Sequence, residues 1–208
     1  MAVQTSSPRR RDPDRKERIL VAAAALGARR GFDAISMADI GAAAGIVGSG
    51  IYRHFDSKTA ILVAMADRVM DRLMTRAAEI ISGGADERRR LTMLVQDHIE
   101  VALTDGDALA VYHREVRTLP EGERRRLSRA QRHYIEEWMR LLVPLRPDLA
   151  DSEVRLAVHA AIGAIQSTLF FRSGLPADRL TELLAVMAHA CLGITPAPAP
   201  VSELALTT

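Results

Sequence analysis

Apolar residues recur every three or four positions through most of this chain and nowhere alternate with polar ones over a strand's length. The pattern therefore predicts an all-α protein. Ile19, Ala22, Ala23 and Leu26 share one face of a first helix from about Asp14, which Gly31 ends as a left-handed cap. Ser36 can N-cap a second helix carrying Met37, Ile40 and Ala44, with Asp39 at its third position and Gly45 closing it. A very short third segment follows. Ser57 or Asp56 then caps a long helix to about Ile81, with Ile61, Met65, Val69, Leu73 and Ile80 on its apolar stripe. Further helices are predicted over about Asp86 to Leu103, Ala108 to Leu119 and Glu121 to Val143, the last two bounded by Pro120 and Pro144. An apolar helix capped by Asp151 or Ser152 runs towards Phe170, and a final one covers about Ala177 to Leu192. The count is about nine helices, with no strand and no internal repeat.

The ends differ from this periodic interior. Residues 1–13 are polar, basic and Pro-containing, which predicts a flexible arm of the kind that reaches phosphates or the minor groove. Residues 195–208 alternate Pro and Ala at their start and predict an extended, unpacked tail. Between them the chain divides into a head, 14–60, and a helical body, 61–194.

Charge sharpens that division. The net charge is only +2, but residues 1–58 carry 10 Lys and Arg against 6 Asp and Glu, while the remainder carries 18 against 20. A basic head on a mildly acidic body suits a nucleic-acid partner, although a solvated basic face gives the same numbers. At 48% hydrophobic residues the chain has ample apolar content for a core. The single cysteine, Cys191, excludes an internal disulfide and reads as a buried structural thiol. Neither a signal peptide nor a membrane-length apolar run is present, so a soluble cytoplasmic protein is expected.

Enzyme chemistry finds no support. The six histidines form no H-x-x-x-H pair or zinc spacing, and no phosphate loop or nucleophile elbow occurs. No metal or cofactor is expected. A helical scaffold protein remains as a non-catalytic alternative.

The most informative stretch is 36–58, SMADIGAAAGIVGSGIYRHFDSK. Two short helical segments flank a Gly-centred break, and the second ends in an aromatic and basic cluster. That is the layout of a helix-turn-helix, whose second helix enters the DNA major groove. Ala43, Ala44 and Gly45 are small where the helices cross, and Ile40, Ile46, Ile51 and Phe55 read as a miniature core.

On these residues, together with Arg18-Ile19-Leu20, Gly31-Phe32, Ile51-Tyr52, His54-Phe55, Ser57-Lys58 and Leu62, the region of about 15–62 resembles the DNA-binding domain of the TetR family of bacterial transcriptional regulators. The resemblance implies phosphate contacts from Ser36, Tyr52, His54 and Lys58. Base reading falls to Val47, Gly48, Ser49 and Arg53; the Arg53 guanidinium can bond guanine O6 and N7 together. Two departures stand out. Val47 cannot N-cap the recognition helix, leaving Ser49 to do so, and Gly48 and Gly50 each cost about 1 kcal/mol relative to Ala. The recognition helix is therefore expected to be loose in free protein and ordered on DNA.

The resemblance also implies a ligand pocket and a two-fold homodimer built by the body. Met65, Val69, Leu73, Met93, Val101, Val111, Tyr112, Trp138, Met139 and Gln166 are pocket candidates, and the same residues read equally as plain core. Arg114, with His113 and Arg117, is placed to meet an acidic head group, for example of an acyl-CoA; a solvated helix face explains these charges as well. Ile162, Gly163, Leu169, Phe170, Leu183, Leu184 and Met187 are the dimer candidates, with burial inside one subunit as the other reading. The expected function is a repressor released from double-stranded, palindromic operator DNA by a small apolar or amphipathic effector. The alternative is a multidrug or antibiotic sensor controlling efflux.

Overall fold

Helix ends follow the capping chemistry of the chain. The Ser36 hydroxyl accepts from Asp39 N at 3.1 Å while the Asp39 carboxylate accepts from Ser36 N at 2.8 Å, a reciprocal capping box. Ser57 and Asp86 accept from Ala60 N and Arg89 N in the same way. The computed structural model describes residues 14–198. Within them the order is α1 Asp14–Arg30, α2 Met37–Ala43, a 3-10 turn Gly48–Arg53, α3 Lys58–Ser82, α4 Glu87–Thr104, α5 Gly106–Glu115, α6 Glu121–Leu142, α7 Asp151–Gln166 and α8 Ala177–Leu192. No strand occurs among the described residues. The all-α class and the sequence of nine helical elements are those predicted.

Differences are local. The start of α7 is capped not by Asp151 or Ser152 but by Glu153, whose carboxylate reaches back to Ala150 N at 2.7 Å. Short 3-10 segments end α5, α6 and α7. The basic arm and the residues from 199 onward lie outside the described region. The first part of the expected loose tail is tied down: Arg88 donates to the Thr195 carbonyl at 3.0 Å and Ala197 N to Thr92 Oγ1 at 3.0 Å. Cys191 is half-buried rather than buried.

The core runs through both parts of the chain. Ile19, Ile40, Ile51 and Phe55 pack inside the head, Ile51 and Ile40 without any exposed surface. In the body α4 is the central helix, burying Leu91, Leu94, Val95, Ile99 and Val101 against α3, α6, α7 and α8. Burying each such side chain stabilises the fold by about 1.5–3 kcal/mol. No helix of the described residues is long and apolar enough to cross a membrane.

Candidate nucleic-acid interface and effector cavity

In the head, α2 and the 3-10 turn cross where side chains are smallest. A Cβ on Gly41 would sit 3.6 Å from Ile51 Cβ and from the Ile46 carbonyl. Gly41 and Ala44 are buried there, whereas Ala43 is exposed and plays no part in the crossing. Gly45 turns the chain at φ 70°. That conformation costs a residue with a Cβ about 1–2 kcal/mol.

The recognition segment departs from an α-helix. Val47 occupies the N-cap position with no side-chain bond, Gly48 has φ 57°, and Gly48–Arg53 winds as 3-10. Ser49 lies inside the turn and does not cap it. Gly50 is required by its neighbour: a Cβ there would lie 2.8 Å from Ile46 Cγ2. Val47, Gly48, Ser49, Tyr52 and Arg53 are all exposed, Tyr52 by 55% and Val47 by 93%. Ser36 is exposed on the same head and His54 half-buried. Poorly aligned 3-10 bonding stabilises a segment less than α-helical bonding. Backbone amides 48–54 should therefore exchange fast in free protein and slow on DNA. Uniform strong protection without DNA contradicts this.

Lys58 has an internal role in addition to the phosphate contact expected of it. Its Nζ donates to the carbonyls of Phe32 and Asp33, both at 3.0 Å, and lies 5.7 Å from the Phe32 ring centre. The ammonium thus ties the start of α3 to the loop between α1 and α2 and retains one proton for an external anion. Lys58→Met should lower the stability of the protein by about 1–2 kcal/mol, read as a reduced thermal midpoint. An unchanged midpoint would show that these bonds contribute nothing. The Ser36 hydroxyl, with its backbone N–H, holds the Asp39 carboxyl below its ordinary 3.8, so the capping box is intact at neutral pH.

The body encloses a cavity of about 230 Å³. Helix α3 supplies Ala66, Val69, Met70 and Leu73; α5 supplies Ala108, Leu109, Tyr112 and His113; α4, α6 and α7 add His98, Tyr134, Ile135, Ile162 and Gln166. Gln131, His159 and Gly163, all exposed, mark its mouth between α6 and α7. Of the predicted lining, Val69, Leu73, Tyr112 and Gln166 are present. Met65, Val101, Val111 and Trp138 are instead buried in the core, Met139 packs against it, and Met93 is partly exposed. Arg114 and Arg117 are exposed outside the cavity; Arg114 donates to the Ala110 and Ala28 carbonyls. The lining carries no Lys, Arg, Asp or Glu.

Its polar wall is a connected chain. Gln166 Nε2 lies 3.2 Å from His98 Nε2, and His98 Nδ1 lies 3.1 Å from the Tyr134 hydroxyl. Burial pushes His98 down from 6.5 to about 4, so the ring is neutral, and pushes the Tyr134 hydroxyl up. His113 is also held below its ordinary value by burial, against a bond it donates to Gln166. Two proton arrangements satisfy the chain, related by a flip of the Gln166 amide. With Gln166 Nε2 donating, His98 Nδ1–H donates to Tyr134, leaving the tyrosine proton for another acceptor.

Two elements connect the cavity to the head. The first is α3, which begins at Lys58. The second, which helical periodicity did not indicate, is α5: a Cβ on Gly27 of α1 would lie 3.0 Å from Val111 Cγ2, and Arg114 Nη2 donates to Ala28 O at 3.3 Å. An ionic chain backs this junction, Glu17 to Arg68 to Asp105, with Arg72 bonding Asp105 at 2.6 Å and Glu100 at 2.9 Å.

On α7 and α8, Leu156, Gly163, Val186 and Met187 are exposed; Phe170 and Phe171, also exposed, lie in the connection between the two helices and line a recess with Ala28 and Gly106. Among the dimer candidates, Leu184 and Ile162 are buried within the subunit, and Leu169 and Leu183 are half-buried. Leu156 and Val186 are exposed apolar residues on these helices beyond the predicted set.

Comparison with known proteins matches the family model for bacterial regulatory proteins, tetR family, over residues 19–65. The model for the tetracyclin repressor-like C-terminal domain matches residues 84–169. The HTH-type transcriptional repressor KstR2 of Rhodococcus jostii (strain RHA1) is 36% identical over 129 residues, 62% of this chain and 63% of that protein, so the chain spans less than two thirds of its length. A TetR-family transcriptional regulator from Bordetella parapertussis 12822 superposes with a TM-score of 0.74 at 27% identity, over 85% of this chain and 95% of that one. The structure of AibR in complex with isovaleryl coenzyme A and operator DNA shares the fold, with a TM-score of 0.68 at 21% identity over 83% and 97% of the two chains. With both its head and its body matched by models of one family, this chain belongs to the tetR family of bacterial regulatory proteins.

Proposed function

We propose that this protein is a cytoplasmic, homodimeric transcriptional repressor. It binds a palindromic operator through two helix-turn-helix heads and is released by a small, largely apolar effector, of which an acyl-CoA thioester is the favoured class. The observation that carries this reading is a charge-free cavity whose walls, α3 and α5, also hold the head.

The DNA half rests on the exposed row Ser49, Tyr52 and Arg53 beside Ser36 and Lys58. One head reads too few base pairs alone, so two are needed, and the exposed apolar face of α7 and α8 is the surface to join them. Half-sites then lie about one helical turn apart, or a multiple.

The effector half rests on the lining. No Lys or Arg stands in the cavity to neutralise a carboxylate, and Arg114, the expected head-group partner, lies outside it. Without an acidic side chain the cavity also gives no partner to a flat cation, which disfavours the multidrug alternative. Neutral His98 and the Tyr134 hydroxyl suit one uncharged oxygen, such as a thioester or ketone carbonyl. AibR, of the same fold, was solved with isovaleryl coenzyme A and operator DNA, consistent with this class.

Release follows from linkage: an effector preferring splayed heads lowers operator affinity by its differential affinity for that state. A DNase I footprint on the region upstream of the protein's own gene tests the reading. Two protected half-sites, lost at high salt and on adding octanoyl-CoA, are expected. Absence of any salt-sensitive protection would overturn it.

A further inference from the structure

One face of α6 continues beyond the cavity. Arg124, Ser128, Gln131 and Ile135 are spaced i, i+4, i+7 and i+11, so they form a single row along the helix. Gln131 and Ile135 line the cavity, Gln131 at its mouth. Arg124 and Ser128 line a separate open recess together with Arg125, Arg129 and Arg132. Four arginines and a serine thus share one exposed stretch of α6, and no carboxylate is among them. Arg125 is paired with Glu121, but Arg124, Arg129 and Arg132 make no ion pair among the described residues.

Unpaired arginines crowded on adjacent turns repel one another, and an anion between them removes that repulsion. Planar guanidinium groups bond phosphate oxygens in pairs. Geometry fixes how such an anion relates to the cavity. From Gln131 to Arg124 the row spans seven residues, about 10 Å at the rise of an α-helix. A molecule with its apolar part in the cavity can therefore lay a linker along Ser128 and set phosphates among the arginines.

We infer that the arginine recess on α6 is a second subsite of the effector site, binding the phosphate-bearing handle of a thioester whose acyl group fills the cavity. This rests on the thioester reading of the effector and assigns it residues that the cavity itself lacks. It also divides the labour: the charge-free cavity selects the acyl group, and the recess distinguishes a coenzyme A thioester from a free fatty acid. DNA phosphates are the competing occupant. They are disfavoured because the row leads to the cavity mouth, whereas the side of α6 towards the first turns of α3 presents Glu123 and Arg126, the latter already paired with Asp67.

The test uses the full chain, octanoyl-CoA and octanoyl-N-acetylcysteamine, which carries the same acyl thioester without phosphates. Wild type should bind octanoyl-CoA about tenfold more tightly, with an affinity that falls as salt rises. The Arg124→Ala/Arg132→Ala protein should lose that preference and its salt dependence, bind the phosphate-free thioester as wild type does, and keep its thermal midpoint. Arg124→Lys/Arg132→Lys should recover part of the preference. Equal octanoyl-CoA affinity in wild type and the alanine variant would overturn the recess and leave the thioester reading standing. No binding of either thioester to wild type would overturn both. Weakened operator binding with unchanged thioester binding would assign the arginines to DNA and overturn the proposal.

Discussion

An Arg53→Ala protein is expected to bind its operator between about thirty and twenty thousand times more weakly than wild type, with folding stability unchanged. Arg53 is exposed on the 3-10 turn and makes no bond to the rest of the chain among the described residues, so its removal strands no buried partner. A bidentate arginine–guanine pair contributes about 1–3 kcal/mol of discrimination, and a dimer loses the pair twice. The effect is large because few other side chains are available: Gly48 and Gly50 have none, and Val47 has no polar group. Fluorescence anisotropy against the operator and a mixed-sequence duplex separates two roles. A loss confined to the operator marks base reading. An equal loss on both makes Arg53 a phosphate contact instead.

The second large effect is on stability in mild acid. An unfolded His98 takes a proton near 6.5, while the folded ring resists until about 4 because it is fully buried. Between these values the unfolded state binds more protons, so stability is complete above 6.5 and falls as the pH drops towards 4. The shift corresponds to about 3 kcal/mol by the lower end of that window. His113, lowered in the same sense, adds to it. Urea unfolding of wild type and His98→Gln at several pH values between 7 and 4.5 isolates the term from the carboxylates common to both. The wild-type free energy should fall more steeply across the window. Parallel curves would mean that His98 titrates normally in the folded protein.

How much of this was legible from the chain depends on how local the governing physics is. Caps and breakers act within four residues, so Ser36, Ser57, Asp86 and Gly31 mark helix ends correctly, whereas α5 stops at Glu115, short of the expected Leu119 before Pro120. The weak start of the recognition segment was equally local: Val47 without a capping oxygen, followed by two glycines, is what winds as 3-10. The cavity was not local. Its wall is assembled from five helices, and periodicity assigns a residue to an apolar face without saying whether that face meets a neighbour or a void. Met65 and Trp138 lie on the same kind of stripe as Val69 and Tyr112, yet the first two are packed solid. His98 read as one histidine among six because its partners, Tyr134 and Gln166, are 36 and 68 residues away.

The role of α5 was hidden for a related reason. A cation on a helix near apolar residues, Arg114 reads from sequence as either a ligand contact or a solvated charge. In the fold it bonds the Ala28 carbonyl in α1, and Val111 meets Gly27 beside it. Both contacts are to residues more than eighty positions earlier. A helix that lines the cavity with Leu109 and Tyr112 while touching α1 with Val111 and Arg114 is placed to carry a displacement of one wall to the head. Helix α3 does the same through Lys58.

The central claim is that the occupied cavity and the operator oppose each other through these two helices. Reciprocity makes this measurable from either side. Octanoyl-CoA affinity should be determined by calorimetry for free protein and for protein saturated with operator duplex. Binding to the complex should be weaker, by the same factor by which the thioester lowers operator affinity. Equal affinity for free and DNA-bound protein would contradict it.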